Sequence, residues 1–172
     1  MSIEPDTKDW TWVLERVCPE CGLDAGAVTP GALADAFAAT APRWRRALED
    51  EDARVRPAEN IWSPLEYACH VRDVHRVFGD RLHRMLTEDD PLFDSWDQDA
   101  AAVDGRYDEQ DPVAVAAEVE EETARAAHRY AAVSGSDWER PGRRSDGSVF
   151  TVATLGQYHL HDVVHHLHDV GS

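Results

Sequence analysis

Apolar positions along the chain recur at helical rather than strand spacing. After "SPLE", residues Leu65, Tyr67, Val71, Val74, Val77, Phe78 and Leu82 return every three or four positions to about Leu86, which predicts a long amphipathic helix. Its start is marked in the sequence: Ser63 can cap, Pro64 occupies the first helical position, and Glu66 closes a capping box. Upstream, "TPGALADAFAATAPRWRRAL" predicts a helix capped by Thr29 and opened by Pro30, with a kink or break at Pro42. Downstream, "DPVAVAAEVEEETARAAHRYAAV" predicts a third, with Asp111 as cap, Pro112 first and acidic residues early in the helix. Thr151 can cap a last helix that runs to about Val170.

Between these segments lie an acidic connection from Glu88 to Asp111, broken by Pro91 and Gly105, and the turn-rich "SGSDWERPGRRSDGSVF". No segment sustains period-two alternation, and there is no internal repeat. The fold class expected is all-α: a four-helix bundle over residues 29–170, in a single domain spanning 1–172, with residues 1–28 as an N-terminal extension that carries "CPECG".

Composition narrows the function. The 34 acidic residues outnumber the 17 Lys and Arg, and a net charge of -17 repels phosphate backbones and anionic lipid alike. No nucleic-acid or membrane partner is expected. No apolar run approaches the roughly 20 residues of a membrane helix, and "MSIEPDTKDW" lacks the basic and apolar regions of a secretory signal. Three cysteines, Cys18, Cys21 and Cys69, are too few for a disulfide framework. A soluble cytoplasmic protein is expected. Lys8 is the only lysine, a bias that fits high-GC codon usage.

The concentrated chemistry lies near the C-terminus, where "HLHDVVHHLHDV" holds five of the nine histidines. At about 100° per residue, His161, His165 and His168 fall within roughly 60° of one another, whereas His159 and His166 lie on the other side. His161 and His165 are one turn apart and can reach one metal ion. A third ligand must come from another helix, and His70, which shares a face with Val74 and Val77, is the candidate; His75 and His83 lie off that face and read as solvated. Three neutral imidazoles leave an open position for water or a substrate atom, the arrangement of a catalytic zinc. Asp73 and Asp162, beside these ligands, could accept hydrogen bonds from the imidazoles. The competing reading makes His70 a hydrogen-bonded core residue and the C-terminal histidines an exposed helix end; His168 fits a frayed surface position as well as a ligand.

"WSPLEYACHVRDVHRVFGDRL" followed by "HLHDVVHHLHDV" resembles the DinB-like superfamily of metal-binding four-helix bundles, over about residues 29 to 170. That superfamily includes mycothiol-dependent maleylpyruvate isomerases and the bacillithiol and mycothiol S-transferases. The resemblance implies a metal held by one histidine of the second helix and an H-x-x-x-H pair of the fourth, which maps onto His70, His161 and His165. It also implies zinc or nickel as the divalent metal, a homodimer, and attack by the thiolate of a low-molecular-weight thiol on a small electrophilic substrate. In the isomerase branch the last pair begins with glutamate; with His161 there, this chain looks closer to the S-transferases. High-GC composition agrees with mycothiol as the thiol. A non-catalytic metal- or small-molecule-binding stress protein and a metal-dependent hydrolase are the alternatives.

Weaker signals remain open. Cys18 and Cys21 have metal-ligand spacing, but a zinc ribbon needs a second cysteine pair that the chain lacks, so the segment reads as a metal or redox element or as a packed turn. In "RPGRRSDG", Arg144 and Asp146, with Arg140 and Arg143, could hold a carboxylate of substrate or thiol, or form a solvated loop of internal ion pairs. Trp96, Asp97 and Asp99 could wall a site from the long connection, or simply be an exposed acidic loop.

Overall fold

The computed structural model describes residues 9–172; the first eight, part of the stretch read above for a secretory signal, lie outside the described residues. The helices are α1 (Leu33–Ala38), α2 (Ala41–Glu49), α3 (Pro64–Thr87), α4 (Gln98–Asp104), α5 (Pro112–Ala131) and α6 (Val152–Asp169). Four arms make the bundle: α1 with α2, then α3, α5 and α6. The first arm and α3 each pack between α5 and α6, so the four close around one core.

Helix ends follow local chemistry. Ser63 Oγ accepts from the Glu66 amide while Glu66 Oε2 accepts from the Ser63 amide, the reciprocal box that starts α3. Thr151 and Thr154 make the same exchange at α6, and Asp111 Oδ2 accepts from the Ala114 amide at α5. The first turn of α5 carries no acidic side chain, so Asp111 alone supplies the negative charge there. Thr29 does not cap. Pro30–Ala32 instead forms a 3-10 turn before α1, and Pro42, with no N–H to donate, sits in the first turn of α2, where a continuous helix would be broken.

A three-stranded sheet of β1 (Leu92–Phe93), β2 (Pro141–Arg144) and β3 (Val149–Thr151) was not anticipated: β1 pairs parallel and β3 antiparallel with β2. Strands this short leave no readable alternation. The sheet closes one end of the bundle. Arg140 donates to the carbonyls of Met85 and Glu88, satisfying the C-terminal end of α3, and Arg143 pairs with Asp90. Much of the basic cluster is thereby used in structure.

Leu33, Phe37, Trp44, Leu65, Leu82, Leu155, Leu160 and Leu167 are fully buried or nearly so and fill the core. His75, expected to be solvated, lies among them together with His159. His75 Nδ1 and His159 Nε2 are 2.9 Å apart, Thr123 Oγ1 lies 3.1 Å from His75 Nε2, and the Tyr130 hydroxyl is 3.4 Å from His159 Nδ1. With their polar atoms matched in a line, the imidazoles pack as aromatic discs, His159 against Phe37 and Phe78. His83 is exposed. No helix among the described residues is long and apolar enough to cross a membrane.

Candidate metal centre

Leu160, Val163 and Leu167 turn α6 toward the core, which leaves two residue pairs on its flanks, each one turn apart. His161 and His165 face the N-terminal segment. Asp162 and His166, one residue further and so about 100° around the helix, face α3. The structure therefore does not bring His70 together with His161 and His165. Ligand atoms of His70, Asp162 and His166 lie within 4.8 Å of one another, and so, separately, do those of Cys18, Cys21, His161 and His165.

In the first group, His70 Nε2 is 3.5 Å from Asp162 Oδ1, and His166 Nε2 is 3.6 Å from the same oxygen. Donors held by a tetrahedral ion at about 2.1 Å stand about 3.4 Å apart, so these spacings suit a shared cation. Both ring nitrogens of His70 and Asp162 Oδ1 are buried without a hydrogen-bond partner. An orphaned buried polar atom costs about 1–3 kcal/mol, and two that face each other, His70 Nε2 and Asp162 Oδ1, are what part of a ligand set looks like without its ion. The residues fit a divalent metal. His166 Nδ1 is fixed by Asp169 Oδ2 at 2.8 Å, which orients its other nitrogen inward, and the ring of Trp96 lies nearly parallel to His70 at 5.4 Å.

Burial holds His70 below its ordinary value against the opposing pull of Asp162, so its imidazole is neutral near pH 7 and has a lone pair to give. Burial pushes Asp162 up, but the surrounding imidazoles outweigh it and keep the carboxyl well below the usual range. His161 is pushed down to about 4, by burial first and then by His165.

Beside these residues opens a cavity of about 600 Å³. Trp10, Trp62, Trp96, Tyr67 and Tyr158 supply ring faces, Asp97, Gln98 and Asp99 come from the long connection, and Asp162 and His166 reach it from α6. Arg144 is the cation among the lining residues; it pairs with Asp146 at 2.7 Å, donates to Ser148 and stands over the Tyr158 ring. Asp146 is exposed and is not among the lining residues.

Asp73 does not support a ligand histidine. Its carboxylate is taken by Arg72, Arg76 and the Tyr107 hydroxyl, because its position on α3 points toward the α4–α5 connection. Asp162, expected behind the ligands, stands in the same candidate donor group as His70. His168 is exposed and belongs to neither group, its ring centroid 6.3 Å from that of His165. His166 was not named as a ligand from sequence, and Cys18 and Cys21, read there as a metal or redox element or as a packed turn, were not joined to a histidine pair. The signal for the cysteines was present in "CPECG", which lacked a second cysteine pair but not a histidine pair.

No curated protein matches the chain. Among solved structures it resembles YfiT from Bacillus subtilis, described as a probable metal-dependent hydrolase with an unusual four-helix bundle topology, with a TM-score of 0.72 and 18% identity over 83% of this chain and 85% of that one. At that identity the likeness carries the fold. The DinB superfamily model matches residues 32–170, from the last residue before α1 to the one after α6, and so takes in the whole bundle together with His70, Asp162 and His166. The chain is a member of the DinB superfamily.

Proposed function

We propose that the protein is a metal-dependent enzyme in which the thiolate of a low-molecular-weight thiol such as mycothiol attacks a small electrophile. The carrying observation is the convergence of His70, Asp162 and His166 beside a cavity of substrate size, with His70 Nε2 and Asp162 Oδ1 buried and orphaned. Two imidazoles and one carboxylate suit zinc, with nickel as the other choice, and leave a coordination position open. A divalent metal there supplies Lewis acidity that favours the thiolate form of an incoming thiol near neutral pH.

The remaining roles belong to the chain. Ring faces from Trp10, Trp62 and Trp96, with hydrogen-bonding side chains from Asp97, Gln98 and Asp99, suit the polyhydroxylated head of a sugar-bearing thiol. The same aromatic walls keep water from the nucleophile. Arg144 takes an anionic group of the electrophile, and the acidic side chains around it disfavour that group elsewhere in the cavity. Asp162 supplies a carboxylate at the start of the i,i+4 pair, where the resembling isomerases carry glutamate. A thiol-dependent isomerase therefore shares the first step proposed here.

The test is turnover of monochlorobimane by metal-loaded protein with mycothiol, bacillithiol, glutathione or no thiol. Turnover with one thiol, abolished in His70→Ala, is expected. YfiT's description favours a second reading, hydrolysis, in which ester or amide substrates are cleaved with no thiol added. Stoichiometric metal with neither activity would leave a non-catalytic metal-binding module.

A further inference from the structure

We propose that Cys18, Cys21, His161 and His165 form a second metal site, a closed Cys2His2 zinc centre that clips the N-terminal segment onto α6. It shares no ligand with His70, Asp162 and His166, and it stands whether or not the proposed chemistry of that site is right.

The spacing is that of a structural zinc site, C-x-x-C with H-x-x-x-H, except that the two halves are separated by most of the chain. Folding brings all four donor atoms within 4.8 Å of one another. Cys18 Sγ stands 3.6 Å from His165 Nδ1. With metal–sulfur and metal–nitrogen bonds of about 2.3 and 2.1 Å at the tetrahedral angle, that edge should measure about 3.6 Å. Nε2 of His161 is buried and has no hydrogen-bond partner, which a lone pair directed at a metal would explain.

The surroundings support the same assignment. His165 Nε2 lies 3.4 Å from Glu20 Oε2 and 3.8 Å from Asp169 Oδ1, so carboxylates stand behind the nitrogen opposite the donor, where they fix the ring and strengthen it as a ligand. The Cys18 amide donates to the Leu23 carbonyl and the Gly22 amide to the Cys18 carbonyl, closing a tight loop. Gly22 has φ +75, a conformation that side chains resist, and it follows Cys21 directly, so the loop turns both thiols to one side. Trp10 covers the histidines, its ring centroid 5.0 Å from that of His165 and 5.8 Å from that of His161.

Two thiolates and two imidazoles select zinc over magnesium, calcium or manganese, and their charge is balanced by one divalent ion. Four protein ligands leave no open position, so the role is structural. Residues 9–28 precede the family-matched region and have only short 3-10 turns as regular structure; buried Val13 and Ala25 and the Gln157 side chain, which donates to the Gly26 and Val28 carbonyls, hold the segment on α6, and a metal would add a cross-link there. The clip would hold Trp10 and Glu20 against α6, where both line the cavity.

Full-length protein purified with zinc should carry two equivalents of metal, and Cys18→Ser/Cys21→Ser should lose one. Replacement of zinc by cobalt(II) should give thiolate-to-cobalt charge-transfer bands and strong tetrahedral visible absorption, lost in the cysteine variant and kept in His70→Ala. Should the cysteine variant fail to fold, the native protein still decides: Cys18 and Cys21 should resist a thiol reagent while metal is bound and react after chelation. Absence of sulfur from the coordination sphere by X-ray absorption, a Cys18–Cys21 disulfide in freshly purified protein, or thiol reactivity indifferent to chelation would each overturn the proposal.

Discussion

Acid should destabilise this fold through the buried His75–His159 pair. Burial pushes His75 down to about 4, and His159 is held well below its ordinary value by burial first and by His75 second. An unfolded chain protonates its histidines near pH 6.5, so between about 6.5 and about 4 the unfolded state binds more protons than the folded one. Stability is then complete above about pH 6.5 and falls as pH drops toward about 4. One histidine with these two values costs about 1.4 kcal/mol at about pH 5.5 and about 2 kcal/mol at about pH 5, relative to neutral pH. His159 is shifted in the same direction and adds to the loss, so the effect at about pH 5 is at least His75's share of about 2 kcal/mol, a large part of a typical domain's stability. The assay is urea unfolding, followed by tryptophan fluorescence, of the wild type and of His75→Leu/His159→Leu at neutral pH and at about pH 5. Metal release and titration of His70 and His161 are common to both proteins and cancel in the difference. Equal losses in the two proteins would refute the reasoning; a loss smaller in the double variant by about 2 kcal/mol or more is expected.

Three other substitutions probe separate links. Gly156→Ala would place a Cβ 2.6 Å from Leu33 Cδ1 and 2.8 Å from Tyr130 Cε1, so overpacking should cost about 1–3 kcal/mol in urea unfolding. Ser63→Ala removes one half of the α3 capping box and a hydroxyl partner of the buried Glu66, with an expected loss of about 1–2 kcal/mol by the same measurement. Arg144→Leu should raise KM for anionic electrophiles about tenfold or more and leave neutral ones unchanged, as steady-state kinetics on paired substrates would show. An equal effect on both classes would remove Arg144 from recognition.

Where local chemistry decides, the fold was legible. Ser63, Asp111 and Thr151 mark helix starts because a side-chain oxygen meets an orphaned amide within three residues, and Pro42 marks a break because it lacks a donor. Thr29 shows the limit: the right residue type stands before a proline, yet a 3-10 turn follows it and its side chain caps nothing. The sheet was illegible because two to four residues per strand cannot show a period. His75 was misplaced, and the burial of His159 went unread, for a different reason. A polar residue can be buried when its partner is also buried, and each of these has its partner on another helix, 84 residues away.

The two candidate donor groups were half legible, and the missing half is a rotation. Periodicity groups residues that share a face of α6, and it grouped His161 with His165 correctly, but it does not say which neighbour that face meets. The neighbour is set by how Leu160, Val163 and Leu167 seat the helix and by what covers its other flank. That cover is the N-terminal segment, whose 3-10 turns carry no periodic signal. A turn of one residue, about 100°, therefore exchanges one candidate donor group for another: His161 and His165 pass from His70 to Cys18 and Cys21, while Asp162 and His166 take their place beside His70. Two consecutive i,i+4 pairs of donor residues on one helix imply two facing partners. The sequence held both, a histidine at position 70 on α3 and a C-x-x-C in the extension, and the softer donors went to the pair made only of imidazoles.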